Sequence, residues 1–333
     1  MQTLRLAALV LISLSLAGCN CGDPNISGDG GISGDGGTGA GNGTGAGNGT
    51  GGGTGTGGGS ATGAGTGGNG GGGGLSAEVC DGVDNDQNGI IDDVDVGRDG
   101  VCDCLKIATL GYAGRWGSGS VFSTWLNGKS QAGVAALGSQ TLTAALLSQY
   151  DVIVVQDVRE SSSSGVGNGL GRAYSSAEVE ALKTWVAGSG GVMTLIGYGD
   201  STEIVNVNRL LAPYGLRYGN TQVLGSIGGS TRPISQWAMH PLAEQVTRVG
   251  TDNGYEVQGG GTRIAMDSQS GNVDVARALE HQSGRVYVWG DEWITYDSEW
   301  SAHTDYQVER FWLNSLKWLT AVGRCQVEIP IIN

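Results

Sequence analysis

From residue 105 onward, short apolar runs alternate with segments in which apolar side chains recur every three or four positions. Lys106-Ile-Ala-Thr-Leu-Gly-Tyr112 predicts a strand. Asp151-Val-Ile-Val-Val-Gln-Asp157 is an apolar run between two acids, the pattern of a strand covered on both faces. Ser175 and Glu178 stand at capping-box spacing, Val179, Leu182 and Val186 follow at helical spacing, and Gly188-Ser-Gly-Gly191 ends that helix. Gly191-Val-Met-Thr-Leu-Ile-Gly197 predicts the next buried strand, followed by a helix over roughly 202–213. Strand and helix alternating in this rhythm predict an α/β fold with a mostly parallel sheet and right-handed crossovers. The Gly-separated short runs of 254–288 predict an antiparallel extension of that sheet. A helix over 305–319 closes the domain, with Phe311, Leu313, Leu316, Trp318 and Leu319 expected to pack inward.

The amino terminus follows other rules. One basic residue, Arg5, precedes the apolar run 6–16, which is too short for a stable bilayer span and reads as the core of a signal peptide over 1–18. The run ends in Leu16-Ala17-Gly18-Cys19, which resembles the lipobox of bacterial lipoproteins. That resemblance implies cleavage before Cys19, lipidation of its thiol and amine, and a membrane anchor of several acyl chains. Asn20 in place of Asp favours the outer membrane under known sorting rules, so a lipid-anchored cell-envelope location is expected.

Gly then fills 28 of the 47 positions from 28 to 74. Such a segment cannot bury enough apolar area to offset chain entropy, and 19–75 is therefore expected to be a disordered tether. Its root-mean-square reach would be about 40 Å. The remaining chain is long enough for one sizeable core. With 18 Lys and Arg against 32 Asp and Glu, the formal charge is −14, which argues against a nucleic-acid partner.

Residues 76–104 carry a second pattern. Counting from Asp84, oxygen-bearing side chains fall at positions one, three and five (Asp84, Asp86, Asn88), and Gly89 supplies the sharp turn at six. Ile90 offers a carbonyl at seven, Asp92 stands at nine and Asp95 at twelve. This is the spacing of an EF-hand-type loop, and it predicts a Ca²⁺ ion bound by oxygens alone. Asp95 is one methylene shorter than the usual Glu, so the expected dissociation constant lies in the ~10⁻⁴ to 10⁻³ M class. The stretch Cys80-Asp-Gly-Val-Asp-Asn-Asp-Gln-Asn-Gly-Ile-Ile-Asp92 also resembles the metal-binding motif of secreted bacterial proteins, with Gln87 where that motif has Cys and Asn88 where it has Asp. Cysteines in an exported chain imply disulfides. Cys80, Cys102, Cys104 and Cys325 are the candidates, and four cysteines allow three connectivities. The expected pairing is Cys80 with Cys102 and Cys104 with Cys325, leaving Cys21 free or intermolecular.

The region 105–324, followed by a tail over 325–333, resembles the class I glutamine amidotransferase-like domains, and among them the trehalose-utilisation-like members. The residues that carry the resemblance are Asp151–Asp157, the helix after Ser175, the Gly191–Gly199 strand and turn, His240-Pro241-Leu242, Gly284-Arg-Val-Tyr-Val-Trp-Gly-Asp291 and Phe311-Trp-Leu-Asn-Ser-Leu-Lys-Trp-Leu319. The resemblance implies a flavodoxin-like three-layer sandwich. In catalytic members a Cys nucleophile occupies the turn after the strand matching 191–197. Here that turn reads Gly197-Tyr198-Gly199-Asp200, and no Cys lies between 105 and 324. A phenol does not replace the missing thiolate, so amidotransferase chemistry is not expected.

Ligands of open α/β sheets bind beyond the carboxyl ends of the strands. That rule groups Asp157, Tyr198, Asp200, Asp291 and Glu292, with Trp289, Trp293, Tyr296 and Trp300 nearby in sequence. Three functions are consistent with this set. The first is a non-catalytic binding domain for an extracellular ligand, a glycan or an envelope protein, stiffened by calcium. The second is a carbohydrate hydrolase using Asp291 and Glu292 as its carboxylate pair. The third is a structural envelope protein docking through its aromatic residues. His240, His281 and His303 are far apart, and Ser176 with His303 lacks a nucleophile-elbow pattern. Replacing Cys19 by Ser should move the protein from the membrane pellet to the soluble fraction of lysed cells. A Cys19→Ser protein that stays in the pellet would contradict lipidation.

Overall fold

The computed structural model describes residues 76–111, 119–159, 172–197, 201–225 and 231–332. The signal peptide, Cys19, the Gly-rich tether, Tyr198 and Asp200 all lie outside the described residues.

In chain order the elements are β1 (Ile107–Gly111), α1 (Ser120–Asn127), β2 (Ala135–Gly138), α2 (Ala144–Leu147), β3 (Val152–Gln156), α3 (Ser176–Ala187), β4 (Gly191–Thr194) and α4 (Ser201–Leu211). Then come β5 (Leu216–Leu224), β6 (Arg232–Ile234), β7 (Gln236–Trp237), β8 (Val249–Thr251), β9 (Gly254–Gly259), β10 (Thr262–Asp267), β11 (Val273–His281), β12 (Gly284–Trp289), α5 (Asp297–Ser301) and α6 (Val308–Leu319). Eight strands form the main sheet in the order β2-β1-β3-β4-β12-β11-β10-β7. The first five run parallel. β11, β10 and β7 extend the sheet in antiparallel fashion.

The parallel core explains its own sequence. All five residues of β3 are buried, because successive side chains point to opposite faces and both faces are covered. Val152 and Val154 join a core with Phe122 of α1 and Phe311, Trp312 and Leu316 of α6. Ile153 and Val155 join Leu182 and Val186 of α3 and Ile204 and Val207 of α4 on the other side. The result is the expected three-layer α/β sandwich. The capping box is present: Glu178 N–H donates to Ser175 Oγ, and Ser175 N–H donates to the Glu178 carboxylate at 3.0 Å.

Three expectations need correction. The 254–288 stretch is not wholly antiparallel, since β12 lies parallel to β4 and antiparallel to β11. β9 leaves the main sheet and pairs with β5. The closing helix begins at Val308, three residues after the expected start.

The 76–104 segment packs into the same core. Val101, Cys102 and Cys104 are buried with Cys325 and Val327, and Cys325 N–H donates to the Ile91 carbonyl at 2.9 Å. The disulfides join Cys80 to Cys104 and Cys102 to Cys325, the reverse of the expected pairing. The cause lies in this return of the chain. The Ile91–Arg324 bridge and the left-handed backbone of Cys325 bring its Cα to 5.2 Å from that of Cys102. Peptide mapping without reduction should recover these two crosslinks, and replacing Cys102 and Cys325 together by Ser should cost about 2–5 kcal/mol of unfolding free energy. Recovery of a Cys80–Cys102 peptide would contradict the connectivity.

Candidate functional site

Two clusters of acids stand out, one in the 76–104 segment and one at the carboxyl ends of the parallel strands.

In the first, Asp84, Asp86 and Asn88 share one turn. The Asp84 carboxylate accepts the N–H groups of Asn88 and Gly89 at 3.1 and 2.9 Å, and Asp86 accepts Asn88 N–H at 3.0 Å. Asn88 Oδ1 accepts the Ile90 N–H at 2.7 Å. The carboxylates expected at positions nine and twelve are engaged elsewhere. Asp92 is only 1% exposed, accepts the N–H groups of Asp81 and Gly82, and lies 3.3 Å from Arg324 Nε. Asp95 accepts the N–H groups of Asp99 and Gly100. The carboxylates that do converge are Glu78, Asp86 and Asp93, each offering an oxygen within 4.8 Å of the others. Glu78 and Asp93 escaped the sequence reading, because Glu78 precedes the loop and Asp93 follows the position-nine acid. Asp93 Oδ1 is a buried oxygen with no hydrogen-bond partner. An all-oxygen donor set with an orphaned buried oxygen fits a hard cation.

The second cluster sits where the strand order reverses. In a sheet ordered β2-β1-β3-β4-β12, the connections leave β1 and β3 in opposite directions, the position at which open α/β sheets usually bind ligands. Glu203, in the first turn of α4, is fully buried. Its two oxygens accept the N–H of Asp157 after β3 at 3.0 Å and the N–H of Gly197 after β4 at 3.1 Å. Glu292, 1% exposed after β12, accepts Gln156 Nε2 at 3.1 Å and the Tyr296 hydroxyl at 2.6 Å. Gln156 also donates to Thr295 Oγ1 at 3.0 Å. A Cβ placed on Gly197 would stand 2.8 Å from Glu292 Oε1 and 2.9 Å from Glu203 Oε2. The two carboxylates therefore flank Gly197, a position with no room for a side chain. Beside them, Asp157 has a left-handed backbone and pairs with Arg159 through both guanidinium nitrogens nearest it.

Asp291 does not join Glu292. Its oxygens accept the N–H groups of Asp252 and Trp293. Burial pushes its carboxyl well above the usual carboxylate range, and the negative charge of Glu292 adds to the shift against those two N–H groups. The adjacent acids thus enter separate networks. The tryptophans are mainly structural. Trp289 is buried and stacks on Trp237, with ring centroids 5.9 Å apart. Trp300 packs beside Phe122 and Trp125 and donates to the Ile294 carbonyl. Trp293 is half-buried, edge-on to Tyr296.

Glu203 and Gln156 were missed as site residues. The available signals were a Glu in the first turn of a helix that follows a buried strand, and a lone amide closing an otherwise apolar run. Replacing Gly197 by Ala should push a methyl group against both carboxylates and lower stability by about 1–3 kcal/mol in urea titration. An unchanged midpoint would contradict the close approach.

No protein family and no curated protein matches this sequence. Solved structures with a similar fold include a cytoplasmic protein of Salmonella typhimurium, STM3548, 14% identical with a TM-score of 0.44, covering 65% of this chain and 100% of that chain. An exo-β-1,4-mannosidase, Op5Man5, from Opitutaceae bacterium strain TAV5 is 12% identical with a TM-score of 0.38 over 66% of this chain and 36% of that one. A ThuA-like protein from Bacteroides uniformis is 10% identical with a TM-score of 0.39, covering 65% of this chain and 90% of that one. The structural neighbours of this chain therefore include a ThuA-like protein.

Proposed function

We propose that this chain is an envelope-anchored lipoprotein that displays a non-catalytic, amidotransferase-like binding domain for an extracellular ligand rich in hydroxyl groups, such as a glycan. The observation that supports this most is the polar floor at the strand ends. Gln156, Asp157, Glu203 and Glu292 are buried there around Gly197, in a domain whose sequence has no Cys to act as nucleophile. Carboxylates and an amide held by internal hydrogen bonds fix the strand ends in one geometry, and a pre-organised site loses less on binding. A hydrolase would need a proton donor and a second carboxylate facing one bond about 5–9 Å apart. Asp291 instead has both oxygens turned to backbone N–H groups.

In this reading Cys19 holds the lipid, the Gly-rich segment spaces the domain from the membrane, and Ca²⁺ sits among Glu78, Asp86 and Asp93. The ion would offset the mutual repulsion of the three carboxylates and stiffen the segment that Cys80 and Cys102 tie to the core.

The test uses the soluble Cys19→Ser protein on a glycan array, with product analysis of every glycan bound. Binding without bond cleavage is expected, and release of shortened glycans would favour a hydrolase using Asp291 and Glu292. In the same preparation millimolar Ca²⁺ should raise the melting temperature by a few degrees, and Asp93→Asn should abolish the rise. Identical melting with Ca²⁺ and with chelator would remove the metal from the account.

A further inference from the structure

Glu299 is the buried acid with the poorest hydrogen bonding among the described residues. It projects from α5 and is 1% exposed, and neither carboxylate oxygen makes a hydrogen bond of normal geometry. Its surroundings come from several elements. Oε2 presses on Gly250 of β8, where an added Cβ would be 2.2 Å away, and the same point is 2.8 Å from Thr231 Oγ1 and from the Tyr306 ring. His303 Nε2 stands 3.8 Å from Oε1 and 3.1 Å from Thr231 Oγ1, and its ring stacks on Tyr306. The titratable and charged groups facing this spot are His303, Asp252 after β8, and beyond Tyr306 the Arg248–Asp305 pair.

We propose that Glu299 in its protonated form is a latch that fastens α5 to the β6–β8 ribbon, and that ionisation of its carboxyl group releases the ribbon. The neutral acid tolerates the dry site and offers an O–H to Thr231 or His303. On ionisation the proton leaves to solvent, and a negative charge remains in the dry site beside Asp252, offset only in part by the Thr231 hydroxyl and the Gly250 amide. Burial and the Asp252 charge raise the Glu299 carboxyl to about 7, against the opposing Thr231 hydroxyl and Gly250 amide. A group raised in the closed state favours closure below its ordinary range, and that preference is lost as pH rises through the raised value. The latch thus holds in acid and opens toward mildly alkaline pH. Because Asp252 N–H donates to Asp291, opening reaches the turn that follows β12.

Hydrogen exchange on the Cys19→Ser protein, corrected for intrinsic chemistry, tests the latch between pH 5 and pH 8. Local opening of peptides covering 231–251 and 297–306 should rise of order 50-fold, while β3 and β4 stay protected. Glu299→Gln should flatten the response. Should that variant fold poorly, the carboxyl carbon resonance of Glu299 in the otherwise unchanged protein decides the matter, with a midpoint near 7 expected. A pH-independent exchange pattern, a response that persists in Glu299→Gln, or a carboxyl midpoint in the ordinary Glu range would each overturn the proposal.

Discussion

Burial of negative charge at one end of a parallel sheet is the constraint on which the rest of this structure turns. A carboxylate removed from water costs several kcal/mol unless donors replace its hydration. Glu203 and Glu292 recover those donors from the sheet itself: the N–H groups that follow β3 and β4, the Gln156 amide and the Tyr296 hydroxyl. The solution fixes where α4 begins, how the chain turns after β12, and why the residue between the two acids is Gly197. Asp291 meets the problem only in part, since burial outweighs its two backbone donors, and Glu299 leaves it largely unmet. Glu203, Glu292 and Asp291 follow strands of the main sheet or open the helix after one, whereas Glu299 projects from α5 onto the separate β6–β8 ribbon.

The opposite requirement governs the 76–104 segment. It is rich in Asp and Gly and has little apolar surface of its own, so it is held by covalent and polar ties. Cys102–Cys325, the Ile91–Arg324 bridge and the ion pair of the buried Asp92 with Arg324 fasten it to the end of the chain. Asp92 and Asp95 order its turns, and Glu78, whose oxygens accept the N–H groups of Asn85, Asp86 and Asp92, converges with Asp86 and Asp93.

Much of this was legible in the sequence where local chemistry decides structure. The unbroken apolar run of β3 and the Ser175–Glu178 capping box signalled buried strand and helix start directly. The short elements α1, β2 and α2 were silent, because sequences such as Ala135-Ala-Leu-Gly138 carry no periodicity and depend on tertiary packing for their form. The disulfide pairing was equally hidden, being set by the return of Cys325 beside Ile91 across the whole domain. For the site, adjacency misled: Asp291 and Glu292 are neighbours in sequence, yet Glu292 finds its companion in Glu203, on a helix that follows a different strand. Periodicity reads faces of elements, and it does not say which strand ends become neighbours.

In the proposed reading the ligand meets the carboxyl ends of β3, β4 and β12, above the buried polar residues around Gly197. The most direct test of that claim is amide chemical-shift mapping of the soluble protein titrated with a glycan that it captures. Perturbations centred on Asp157, Gly197 and Trp293 are expected, with the sugar recovered intact. Perturbations confined to the far end of the sheet, around Gly284, Arg285 and Lys317, would contradict it.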